Sequence, residues 1–116
     1  MRKKKFKGRC EKRKIDKFGE ICRTYDSLQY KTALILSGTE EVKEIQANVP
    51  MDGTEYTTDF IYKTIDGELA VRECVYREHL RKPMTLKLLD ISREYWLKRG
   101  ITDWAIVLGR EEGGRR

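Results

Sequence analysis

Tyr56-Thr57-Thr58-Asp59-Phe60-Ile61-Tyr62-Lys63-Thr64-Ile65-Asp66-Gly67-Glu68-Leu69-Ala70-Val71-Arg72-Glu73-Cys74 is the stretch on which the fold turns. Thr, Tyr, Phe, Ile and Val crowd both sides of Asp66-Gly67, as strands favour. Asp-Gly is a strong signal for a tight hairpin turn, because glycine takes positive φ without strain. The reading is a β-hairpin with strands from Glu55 to Ile65 and from Leu69 to Tyr76. With Asp66-Gly67 as a two-residue turn, Asp59 faces Cys74, Phe60 faces Glu73 and Ile61 faces Arg72. Side chains alternate along a strand, so Asp59, Ile61, Lys63, Arg72 and Cys74 are expected on one face. Phe60, Tyr62, Leu69, Val71 and Glu73 are expected on the other. That register places a carboxylate beside an arginine, with a lysine one step along. A bulge would bring Glu73 to the Asp59 face instead.

Outward from the hairpin, Val42 to Met51 alternates, with Ile45, Ala47 and Val49 on one side and Glu44 and Gln46 on the other. Asp52-Gly53 marks another turn, and Pro50 implies an edge position or an irregularity beside it. Upstream, Leu28 to Ser37 reads as a short helix, with Asp26-Ser27 as its N-cap and Gly38 as its stop. Downstream, Leu86 to Arg99 is the clearest element. Leu88, Leu89, Ser92, Tyr95 and Trp96 recur at helical spacing, Thr85 can cap the start and Gly100 can close the end. Trp104-Ala105-Ile106-Val107-Leu108 then reads as a buried strand inside the sheet. The order α-β-β-β-α-β argues for an α/β or α+β sandwich, a mixed sheet flanked by helices.

The chain has 116 residues, suited to one domain, with 38% charged residues and a net charge of +6. No apolar run approaches the ~20 residues of a membrane span. The basic start is not followed by an apolar segment, so a secretory signal is not expected and cytoplasmic residence is. Cys10, Cys22 and Cys74 are odd in number and lack CxxC spacing, which supports neither a disulfide framework nor a zinc site. His79 is the single histidine.

The charge is uneven. Arg2, Lys3, Lys4, Lys5, Lys7, Arg9, Lys12, Arg13 and Lys14 face only Glu11 within the first fourteen residues. Residues 1–25 therefore read as a basic N-terminal arm before a mildly acidic domain at 26–109, with a polar tail at 110–116. Those nine cations are the candidate DNA-binding residues, since phosphate contacts add affinity without sequence preference. A solvated basic tail accounts equally well for the charge alone.

The chain resembles the N-terminal endonuclease domain of TnsA, a transposase subunit of heteromeric transposons in the PD-(D/E)xK nuclease superfamily. Three pieces carry the resemblance: Glu44-Ile45-Gln46-Ala47-Asn48-Val49-Pro50, Tyr56-Thr57-Thr58-Asp59-Phe60, and Lys82-Pro83-Met84-Thr85-Leu86 through Tyr95-Trp96. The α-β-β-β-α-β order is also that superfamily's core order, a restriction-endonuclease-like fold. The resemblance implies a magnesium ion held by Asp59 and an acid on the next strand, with a lysine that orients the attacking water. The acid-x-lysine segment falls on Arg72-Glu73-Cys74, so arginine stands at the acid position and cysteine at the lysine position. The family's first-helix glutamate falls near Gln29 or Tyr30. Asp59, Arg72, Glu73 and Lys63 are thus the candidate catalytic residues, Lys63 as a migrated lysine, and Asp59 is the candidate metal ligand. The implied function is a TnsA-like endonuclease-type subunit acting on double-stranded DNA in transposition, with a degenerate active site. The alternative is a catalytically inactive nuclease-fold scaffold for a transposase or another partner protein, needing no cofactor.

Overall fold

The computed structural model describes residues 1–110. Its element order is β1 (Arg2–Lys3), β2 (Glu11–Arg13), β3 (Cys22–Thr24), α1 (Ser27–Ser37), β4 (Val42–Pro50), β5 (Tyr56–Thr64), β6 (Leu69–Tyr76), α2 (Pro83–Leu97) and β7 (Asp103–Gly109), with a short 3-10 turn at Arg77–His79. The class is α+β. One mixed sheet carries β1, β4, β5, β6 and β7, and β2 pairs with β3 in a separate ribbon. No described helix is long and apolar enough to cross a membrane.

Local chemistry explains the helix ends. Asp26 caps α1 by accepting from the Gln29 backbone N–H at 2.8 Å. α2 begins at Pro83, earlier than the Thr85 cap expected from sequence. Proline suits the first turn because its missing N–H would be unpaired there anyway. Gly100, at φ 86, turns the chain so that the Ile101 N–H reaches the Trp96 carbonyl at 3.0 Å.

Two apolar clusters sandwich the sheet. Under α1 lie Cys22, Ala33, Leu36, Val42, Ile45 and Phe60. Under α2 lie Met51, Val71, Trp96 and Ile101, with Ile61, Ile91 and Trp104 against them. Each large side chain so buried contributes about 1.5–3 kcal/mol. β7 runs parallel to β6 and is an edge strand, which corrects the expectation of a strand inside the sheet. Its Ile106 and Leu108 remain exposed.

The hairpin register also differs from expectation. Phe60 faces Arg72, Ile61 faces Val71, Tyr62 faces Ala70 and Lys63 faces Leu69. The loop holds three residues, Ile65-Asp66-Gly67, because the Thr64 N–H bonds the Glu68 carbonyl at 2.8 Å. Gly67 takes φ 88 at the last of them. One added loop residue slides the register by one, and a one-residue slip moves every side chain of the partner strand to the other face. Arg72 therefore leaves the Asp59 face and Glu73 joins it.

The first 25 residues do not form a separate arm. β1 pairs with β5, with Arg2 facing Thr57 and Lys3 facing Tyr56. Thr57 also faces Pro50 of β4, so β1 must lie on the opposite flank of β5, the flank that β6 occupies further along. Residues 111–116 of the expected tail lie outside the described residues.

Candidate functional site

The ladder between β5 and β6 stops at Phe60 and Arg72, and the next two residues on either strand, Asp59 and Glu73, meet at the fork. There the side chains replace the missing backbone bonds. The Asp59 N–H donates to Glu73 Oε1 at 3.0 Å. The Cys74 N–H donates to Asp59 Oδ2 at 2.7 Å. Asp59 is 1% exposed and Glu73 0%. Unpaired buried carboxylates are very costly, so the rest of the network is set by what satisfies them.

For Glu73 the remaining partner is Ser92 of α2, whose hydroxyl donates to Oε2 at 2.5 Å. Trp104 of β7 donates its indole N–H to the same Ser92 oxygen at 2.9 Å. Burial, and then the charge of Asp59, pushes the Glu73 carboxyl up to about 7.

Asp59 is met by cations. The α-ammonium of Met1 donates to Oδ2 at 3.1 Å and Arg2 Nη1 donates to Oδ1 at 3.3 Å. Burial of that ammonium works to lower its pKa, but the carboxylates of Asp59 and Glu73 outweigh it and the net direction is upward. Arg2 also pairs with Asp26 and lies over the Tyr25 ring at 5.0 Å. Gln29, on α1, donates to Asp59 Oδ1 at 3.4 Å and to Asn48 Oδ1 at 2.9 Å. Its own carbonyl accepts from the Tyr25 N–H at 2.9 Å. Asn48 follows Ala47, which faces Phe60, and it takes φ 56, a conformation asparagine tolerates. Its amide donates to the Arg23 carbonyl at 2.8 Å.

The candidate residues from sequence divide accordingly. Asp59 and Glu73 are brought together. Arg72 is not with them: it bonds Asp103 at 2.9 Å and the Tyr62 hydroxyl at 3.0 Å, so the expected Asp59–Arg72 contact is absent. Lys63 is exposed near the turn, four residues from Asp59, or about 13 Å along a strand. The Cys74 thiol lies 3.5 Å from the Thr32 hydroxyl, and burial followed by the Asp59 charge raises its pKa. A thiol so placed is inert. His79 lies edge-on to the Tyr76 ring. Of the nine basic residues, Arg2 is committed to the acids and Arg13 stacks over Tyr30 at 3.9 Å. Lys3, Lys4, Lys5, Lys7, Arg9, Lys12 and Lys14 are exposed.

Sequence reasoning missed the part Asn48, Ser92 and Trp104 play here, the pairing of Asp26 with Arg2, and the inward turn of Arg2. Asp26 was legible only as a helix cap, and Ser92 left a signal as a hydroxyl in an otherwise apolar helical stripe. Two carboxylates offer the oxygen ligands magnesium takes. Among the described residues no group of three or more His, Cys, Asp and Glu gathers around one point. With β1 in place, Arg2 and the ammonium stand on the Asp59 oxygens an ion would use. The residue two beyond Glu73 is Val75, 7% exposed, so the segment behind the facing acid reads Glu73-Cys74-Val75.

No family model and no curated protein matches this chain.

Proposed function

We propose that the protein is a TnsA-like endonuclease-type subunit that acts on double-stranded DNA, with Asp59 and Glu73 as its acid pair. The observation that carries this reading is the Asp59–Glu73 juxtaposition at the fork of β5 and β6, with the Asp59 N–H on the Glu73 carboxylate at 3.0 Å. A facing acid on the neighbouring strand is what the resemblance to that nuclease family requires, and it restores the position that Arg72 had failed to fill. Gln29, which donates to Asp59 Oδ1, is with Tyr30 one of the two positions near which the resemblance puts the family's first-helix glutamate.

In this reading Asp59 and Glu73 are the residues that would hold a magnesium ion once the Asp59 oxygens are free. Bound there, the ion would lower the pKa of a water and neutralise charge on the scissile phosphate. The protein's own contribution is positioning. Ser92 and Trp104 fix the Glu73 carboxylate, the Cys74 N–H fixes Asp59, and Gln29 ties the pair to α1 and β4. The seven exposed cations near the N-terminus supply phosphate contacts. Val75 provides no ammonium where the family keeps its lysine, so cutting is expected to be slow.

Nicking of supercoiled plasmid with magnesium or manganese tests the proposal. Asp59→Ala and Glu73→Gln should each abolish it. Plasmid left intact by the wild type with both ions overturns cutting. Val75 favours a second reading, a noncatalytic scaffold for a transposase, which predicts co-purification with that partner and no nicking.

A further inference from the structure

Three features outside the acid pair invite a role: the groove between β3 and β4, the exposed apolar residues of edge strand β7, and the docked strand β1. Nothing says what fills the first two. β1 differs, because its occupant and its target are both visible.

We propose that β1 is an autoinhibitory strap that competes with a divalent cation for the acid pair. The inference rests on the reading of Asp59 and Glu73 as a cation site. β1 lies on the flank of β5 where β6 has diverged, so it fills the mouth of the fork. From there Arg2 reaches Asp59 at 3.3 Å and also pairs with Asp26, while the α-ammonium reaches Asp59 at 3.1 Å. The Arg2 guanidinium thus supplies Asp59 with positive charge that a divalent ion would otherwise bring, so strap and ion compete for the same carboxylate.

The attachment is small enough to release. β1 is two residues long. Outside the ion pairs it is held by its two-residue pairing with β5, the Lys4 N–H on the Glu55 carbonyl, the Thr57 hydroxyl on the Arg2 carbonyl, the Met1 side chain against the α2 cluster, and Phe6 set edge-on to Tyr25 at 5.5 Å. Phe6 is itself 47% exposed. Of this segment only Met1 packs against an apolar cluster, the one under α2. Lifting the strap uncovers that contact while the buried residues of both clusters, on β3 to β6, both helices and the loops beside them, stay packed on one another.

Calorimetric titration of the full chain with manganese tests the strap. Arg2→Ala should bind at least ten-fold more tightly than wild type. Phe6→Ala changes no charge and should give a smaller gain in the same direction, which separates strap release from simple loss of a nearby cation. Asp59→Asn in the Arg2→Ala background should abolish binding. Manganese should also speed hydrogen exchange at the Lys4 amide of the wild type. Equal affinity in wild type, Arg2→Ala and Phe6→Ala, or an unchanged Lys4 amide at saturating manganese, overturns the strap and leaves the acid pair standing. No binding by any variant overturns the acid pair and the strap with it.

Discussion

The two ends of the β5–β6 hairpin are held by different forces. At the turn end, Phe60 to Lys63 pair with Leu69 to Arg72 through backbone bonds, and Gly67 fixes the loop. At the fork end the backbones part, and buried side chains carry the load: Asp59 on Cys74, Glu73 on Asp59, Ser92 on Glu73, Arg2 on Asp59. A backbone ladder is nearly indifferent to residue identity. A buried polar network depends on every member, because a missing partner leaves a desolvated group unpaired. Substitutions at the fork should therefore cost far more than equally conservative ones at the turn.

The largest expected effect is at Asp59. Asp59→Ala leaves the Cys74 N–H and the ammonium without their acceptor and Arg2 with Asp26 alone, and breaking a buried pair on one side costs about 3–5 kcal/mol. Urea unfolding measures this. A loss below about 1 kcal/mol would show that the fork is not held as described.

Next comes the pH dependence of Glu73. Its folded pKa, about 7, lies above the ordinary 4.5 because of burial and then the Asp59 charge. Between those values the unfolded chain has released the proton and the folded chain still holds it. Stability from this group is fully present below the lower value and is lost as pH rises through the upper one, by about 3 kcal/mol at most. Glu73→Gln should remove that slope, so the variant gains on wild type between pH 5 and pH 8. Parallel stability curves for the two proteins would refute the assignment.

The turn end should respond less. Gly67→Ala forces a Cβ into φ 88 and should cost about 1 kcal/mol in the same urea assay, with the register retained. Lys63→Ala should be the mildest, within about 0.5 kcal/mol, since the side chain is exposed. A Lys63→Ala loss as large as that of Asp59→Ala would erase the distinction between the two ends.

Much of the scaffold was legible because it rests on local chemistry. Asp26 capping, the Leu89-Ser92-Trp96 face of α2, Gly100 and the hairpin around Asp66-Gly67 all depend on residues within a few positions of one another. Other features were not. Whether the loop holds two residues or three depends on where Thr64 and Glu68 close, and Asp66-Gly67 is compatible with both. Likewise, a run of Lys and Arg near the N-terminus reads as a free cationic arm until the buried Asp59 that attracts Arg2 is in place.

The sequence by itself determined the order of elements from α1 to β7 and the α+β class, because propensity, capping and periodicity act over short distances. The three short strands before α1 were not legible, and Asp59 stood out through the resemblance alone. Only the tertiary structure decided that Glu73 and not Arg72 faces Asp59, that Lys63 is remote, and that Arg2 turns inward. The physical reason is the same for all three. Register and long-range charge pairing are settled by packing two apolar layers at once, and a single residue of slip in one loop exchanges which side chains share a face.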